Sequence, residues 1–286
     1  MLRFVALLFG LFAVATPSAS AQALDGRLKK IADTRTITIA HRTDAPPFSF
    51  IDANKEVTGF SVDLCRKIVA SIERQIGVTG LKVRYVPVTS QSRFDTVAKG
   101  QADMECGAST VTLSRMKIVD FSSFIFLETT GLMAKAAPGY QSLADLGGKR
   151  IAVIGGTTNE RAVNDEAKRR QINVTVVPVK NSHEGVAALE SGAADAFASD
   201  VLLLIGSLIH AKDPKALALL NDKLSIEPYG IALPRGDYAL RLAVNTALSQ
   251  IYRSEDIDTI FNRWFGAFGK PTPLSEAVYI LGAIPP

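Results

Sequence analysis

The chain has little of what metal, redox and nucleophilic sites are built from. It holds three histidines and two cysteines in 286 residues. His41, His183 and His210 stand at no ligand spacing to Cys65 or Cys106, so no metal is expected. No glycine-rich phosphate loop and no nucleophile elbow occurs, so neither a cofactor nor a nucleophile–base pair is in view. An excess of one charge is also missing. The formal net charge of +4 falls to +3 without Arg3, and the basic residues are scattered with no aromatic platform, which argues against a nucleic-acid partner. Long apolar runs are absent beyond the N-terminal region, and no later stretch approaches the ~20 apolar residues of a membrane span.

What the chain does have begins with Arg3, the apolar run Phe4 to Ala15 and then Ser18-Ala19-Ser20-Ala21. That order reads as a secretory signal peptide over 1–23, with cleavage after Ala21 or Ala23. No cysteine closes the apolar run, so no lipid anchor is expected and the product should be soluble and exported. About 263 residues remain, enough for one large domain or two modest ones. An even cysteine pair in an oxidising compartment predicts one disulfide, Cys65–Cys106; two buried free thiols are the alternative.

The most informative stretch is Val88 to Arg115. Phe94, Val97 and Ala98 recur at helical spacing, so Ser92 to Lys99 is a short amphipathic helix with Ser90 as its N-cap and Gly100 at its end. Ala102 to Gly107 reads as a buried strand, followed by the small and hydroxyl residues Ala108 to Thr112. Free N–H groups, hydroxyls and the forks of Arg93 and Arg115 together suit an anion.

In chain order, Leu24 to Asp33 is a helix and Thr36 to Ala40 a β-branched strand. The strand runs into a loop, His41 to Phe50, whose prolines forbid helix and which carries Arg42. Ligands of open α/β sheets sit at that end of a strand. Ser61 to Ile76 is a strong helix and Leu81 to Val88 a strand. Strand Arg150 to Ile154 opens onto Gly155-Gly156-Thr157-Thr158, an anion-receiving turn before a helix. Asp200 follows the strand Ala194 to Ala198 and is both a cleft acid and a candidate helix N-cap. Lys270 to Pro286 reads as a tail on the surface.

Two short echoes suggest a repeated unit. Val177-Pro178-Val179 repeats Val86-Pro87-Val88, and the span 189–196 repeats 98–104 around a glycine. Two α/β lobes facing across a cleft follow from that reading. Three arginines against one aspartate favour a diacidic ligand carrying an ammonium, with Ser90, Ser109, Thr110, Thr157 and Thr158 as further donors. Glu105 reads as a structural carboxylate inside a strand.

HRTDAPPFSF, GFSVDLCRKIV, VTSQSRFDTVAKGQADMECGAST, GGTTNE, LESG and the terminal NRWF resemble the polar amino-acid solute-binding proteins of ABC importers, and most closely the periplasmic glutamate/aspartate-binding group. The resemblance implies a type II two-lobed α/β fold with two hinge strands near Thr129–Leu132 and Glu227–Gly230. It implies a first lobe of 24–129 and 230–286 and a second of 130–229. Arg42, Ser90, Arg93, Thr110 and Arg115 would hold ligand carboxylates, Thr157 and Thr158 would assist, and Asp200 would hold the α-ammonium. The implied partners are L-glutamate or L-aspartate and an inner-membrane ABC permease, with the protein a periplasmic monomer and not an enzyme.

Three positions depart from the group. Ala108 stands where it has a serine, Ser182 where it has a histidine with His183 one position late, and Ser61 where the broader family has an acid. Two competing readings go with these residues: a periplasmic dehydratase with Glu105 as its acid, or a binder of a dicarboxylate or an amide side chain.

Overall fold

The computed structural model describes residues 24–285; the signal-peptide expectation over 1–23 lies outside them. Two five-stranded mixed sheets carry the fold. In the first, Lys82–Val88, Thr36–Arg42 and Met104–Glu105 run parallel, and Glu227–Leu233 and Asp120–Glu128 complete the order antiparallel. In the second, Thr175–Val179, Arg150–Ile154 and Ala196–Asp200 run parallel, with Thr130–Lys135 and Leu217–Leu219 antiparallel beyond them. Each sheet with its helices is called a lobe below.

The echoed Val-Pro-Val triplets fall at equivalent places. Both end the edge strand of their sheet, where a proline costs no ladder bond that a neighbour needs. The glycines of the second echo, Gly100 and Gly192, both take a left-handed φ, +74° and +76°, just after their helices.

Between the sheets the chain crosses twice. Asp120–Glu128 passes through Thr129 directly into Thr130–Lys135 of the other sheet. The return runs from Leu217–Leu219 to Glu227–Leu233. Glu128 and Glu227 face each other as the last pair of the antiparallel ladder at this crossing.

Helix Phe60–Gln75 buries Phe60, Leu64, Cys65, Ile68 and Ile72, a stripe at spacings of three and four residues, against helix Tyr238–Tyr252 and the first sheet. Phe48, Phe60, Phe126 and Phe265 form one aromatic cluster, with ring centroids 4.9 to 6.1 Å apart. Cys65 is bonded to Cys106, which ties this helix to the segment after Met104–Glu105.

Three expectations need correction. Ser90 does not cap a helix: the helix spans Arg93–Ala98, and Thr89 and Ser92 bond to each other in the turn before it. The expected strand is shorter, Met104–Glu105, with Asp103 and Cys106 at its two ends still donating to the carbonyls of Thr38 and Ala40. The C-terminal stretch is a helix, Pro273–Gly282, capped by Thr272 and with Ser275, Tyr279 and Gly282 buried. Gly282 sits so close to the ring of Tyr252 that a Cβ there would fall 2.6 Å from it.

Candidate functional site

The C-terminal ends of the parallel strands in both sheets point to one cleft. Arg42 ends its strand, and its backbone N–H donates to Ser49 Oγ at 3.0 Å. Its Nε and Nη2 both donate to Asp44 Oδ1, at 2.9 and 2.6 Å. Arg93 opens its short helix and donates from Nη1 to the carbonyl of Ala108 at 2.7 Å, while its Nε is buried without a partner. Arg115 lies further out and donates to the carbonyl of Thr110 at 2.8 Å. The Arg93 and Arg115 guanidinium carbons lie 4.8 and 4.9 Å from the centroid of the Phe94 ring.

Three guanidiniums in so small a space have an electrostatic cost. Burial, and after it the nearby Arg115 and Arg42, push the Arg93 guanidinium down to about 9, with Glu105 opposing. An anion entering the cleft would relieve that strain.

Opposite, Asp200 ends the strand Ala196–Asp200 of the second lobe. It begins a helix but makes no side-chain cap bond, because its carboxylate is engaged elsewhere. Asn159 Nδ2 donates to Oδ1 at 2.6 Å, and the Tyr229 hydroxyl donates to Oδ2. Burial, and then Glu227, lift its pKa to about 7. Glu128 is buried beside it and accepts N–H bonds from Thr129 and Leu202; burial and Asp200 lift it to about 8.

Helix Thr158–Arg169 presents its N-terminus to the same space. Thr157 caps it, accepting from Glu160 N–H and donating to the carbonyl of Ile154, so its hydroxyl serves the backbone. Thr158 meets Thr110 across the cleft, Oγ1 to Oγ1 at 3.3 Å.

Arg42, Ser90, Arg93 and Thr110 from the first lobe and Thr157, Thr158, Asn159 and Asp200 from the second line one cavity of about 20 Å³. That is room for about one water, so an amino-acid-sized guest enters only by parting the lobes or moving side chains. Several contacts hold the lobes together. Gln91 Nε2 donates to the carbonyl of Gly155 at 2.9 Å. Leu203 packs into the first lobe's core. Gly206 lies against Pro46, so closely that a Cβ would sit 2.0 Å from the Pro46 carbonyl oxygen.

Not every expected residue lines this cavity. Arg115 stands at the outer cleft with Ser90, Thr157 and Thr158. Ser109 is fully buried and donates to Glu105 Oε2 at 2.6 Å. His183 is exposed and packs edge-on against His210, centroids 5.3 Å apart, while its neighbour Ser182 takes the cavity wall. The aspartate is not a lone acid, since Glu128 and Glu227 stand beside it. Sequence reasoning missed Asp44, Asn159, Tyr229 and the Glu128–Glu227 pair. Asn159 was within reach, because it directly follows the two threonines at a helix start. The others meet only through tertiary pairing.

Two α/β lobes, joined by two strand crossings and closed on a charged cavity, define a two-lobed ligand-binding protein with the type II periplasmic binding protein fold. The family described as bacterial extracellular solute-binding proteins, family 3, matches residues 37–267, and this chain belongs to it. The L-glutamate/L-aspartate-binding protein of Pseudomonas aeruginosa is 36% identical over 246 residues, covering 86% of this chain and 82% of the relative. The glutamate/aspartate import solute-binding protein of Escherichia coli K12 is 31% identical, with the same coverage of 86% and 82%. Among solved structures, an ancestral amino acid-binding protein described as a precursor of cyclohexadienyl dehydratase matches with a TM-score of 0.73 and 28% identity, over 84% of this chain and 100% of that one. An ancestral arginine-binding protein bound to glutamine matches with a TM-score of 0.71 and 29% identity, over 81% and 98%.

Proposed function

We propose that the protein is the periplasmic solute-binding component of an ABC importer and that it captures L-glutamate or L-aspartate for an inner-membrane permease. The observation that carries this reading is that Arg42, Arg93 and Asp200 line one enclosed cavity. Arg42 and Arg93, with Ser90 and Thr110, suit the ligand's carboxylates, and the start of helix Thr158–Arg169 adds N–H donors. Arg115 guides the ligand from the outer cleft. Asp200 takes the α-ammonium. The similarity to glutamate/aspartate-binding proteins supports the same ligands.

The lobes in this reading are 24–129 with 230–286, and 130–229. They part and close about the crossings at Thr129 and before Glu227, as a monomer. The protein is a carrier and not an enzyme. Glu105, the acid that elimination chemistry would call on, is fully buried, accepts from Ser109 on Oε2 and lies outside the cavity lining, which favours a supporting role beside the arginines.

Calorimetry with L-glutamate and L-aspartate tests the reading; absence of heat with both overturns it. Asp200→Ala is expected to abolish amino-acid binding while sparing a plain dicarboxylate such as succinate. Loss of both ligands together would remove Asp200 from the ammonium role.

A further inference from the structure

The Arg42 guanidinium is already half engaged. Asp44 Oδ1 takes its Nε and one N–H of Nη2, at 2.9 and 2.6 Å. Asp44 sits two residues on, in the small hairpin of Asp44–Ala45 with Ser49–Ile51, and Ser49 also holds the Arg42 backbone. Both ends of the contact are therefore fixed by the same few residues. Asp44 itself does not line the cavity; Arg42 does. Arg42 is 4% exposed and the Asp44 side chain 23%, so the guanidinium is withdrawn from bulk water while the carboxylate keeps part of its hydration. The engaged edge is the Nε side. Nη1, with both its hydrogens, and the remaining hydrogen of Nη2 are left for the cavity.

We infer that Asp44 is a specificity-determining residue that acts through Arg42, aiming its free end at the cavity and cancelling much of its charge, so that the cleft accepts an amide side chain beside an acidic one. This inference rests on the amino-acid-binding reading above and sharpens its ligand class. With the α-carboxylate on one guanidinium, the ligand's far end meets another. If that other is Arg42, a ligand carboxylate must share it with Asp44 and is repelled by it. An amide carbonyl accepts the same hydrogen bonds without the repulsion. Arg93 has no contact of this kind. Among the described residues its one bond is to a backbone carbonyl, and the buried Glu105 acts on it without a direct bond, so both edges of its fork stay clear of a carboxylate.

Asp44→Asn separates aim from charge. The asparagine carbonyl still accepts from Arg42, and the negative charge is gone. Calorimetric Kd values for L-glutamate and L-glutamine are compared in the parent protein and in the variant, at pH 8. Burial holds the His210 ring below its ordinary range, so that ring is neutral there and does not enter the readout. The expected result is a rise of about tenfold in the preference for glutamate over glutamine, the size that one uncompensated charge carries at this range. Asp44→Ser, a smaller acceptor without charge, is expected to shift the ratio in the same direction and covers the case in which the asparagine fails to fold. A ratio that stays the same or falls in a folded variant overturns the inference and leaves the amino-acid-binding reading standing. A parent protein that gives no heat with either ligand removes both.

Discussion

Tyr229, on the strand that returns the chain to the first lobe, donates its hydroxyl to Asp200 at the tip of the second lobe. The phenol is fully buried, and its ring stacks edge-on against Phe48 with centroids 5.1 Å apart. The acid proposed to hold the ligand's ammonium is thus aimed by a residue of the first sheet, on the strand where the chain crosses back. Burial, with Asp200 next, keeps the Tyr229 hydroxyl protonated well above its ordinary range, so it donates at every pH of interest.

The first prediction concerns pH and affinity. Asp200 must be ionised to grip an ammonium, and its pKa stands at about 7. Affinity for L-glutamate is expected to be near full at pH 8 and about tenfold weaker at pH 6, one unit below that pKa. Tyr229→Phe removes a donor that favours the ionised form, so the midpoint should move to higher pH. Kd measured by calorimetry across pH 5.5 to 8.5 checks both, and a flat profile excludes Asp200 as the ammonium's partner.

Stability should run the opposite way. Glu128 and Asp200 titrate at about 8 and about 7 in the fold, against ~4 in an unfolded chain. Acids raised on folding contribute stability that is complete below the unfolded value and is lost as pH rises through the folded one. The unliganded protein is therefore expected to melt at lower temperature at pH 8.5 than at pH 6. Glu166, held down to about 2 by Arg169, acts only in a far more acidic range and does not mask this. Glu128→Gln removes the charge and keeps a carbonyl acceptor for one of the Thr129 and Leu202 N–H groups, which bond to different carboxylate oxygens. Its melting temperature relative to the parent should be higher at pH 8.5 than at pH 5; equal shifts at both would exclude the charge as the cause.

Gly206 offers a test of closure. It lies in helix Val201–Ser207, where alanine favours the helix by about 1 kcal/mol. In the closed protein its Cβ would collide with the Pro46 carbonyl. Gly206→Ala should therefore leave the unliganded melting temperature unchanged or higher, weaken ligand binding at least tenfold, and enlarge the radius of gyration by X-ray scattering. Unweakened binding would show that this contact does not guard closure.

Much of this was legible in local pattern. Alternating β-branched residues marked Thr36–Arg42, helical spacing marked Phe60–Gln75, and strand ends ahead of glycine, threonine or proline marked the loops that meet at the cleft. Arg42, Arg93 and Asp200 come together because each sits at such an end. What escaped depends on pairing between distant segments. Glu128 and Glu227 are opposite only through an antiparallel ladder closed across the whole second lobe. Asp44 reaches Arg42 because the hairpin after it turns back within a few residues, which a proline-rich loop does not announce. Ser90 failed as a cap because the turn ahead of the helix uses Thr89 and Ser92. The C-terminal helix did carry a signal, with Thr272 before Pro273 at its first position.

The aromatic cluster of Phe48, Phe60, Phe126 and Phe265 makes the first lobe depend on both ends of the chain. Its first three rings are synthesised early and its fourth almost at the end, with the entire second sheet encoded in between. That second sheet draws on one unbroken span of chain, whereas the first keeps its hydrophobic floor unfinished until Phe265 is in place. A chain cut short before this residue would hold every strand of one half and leave the other half's floor open.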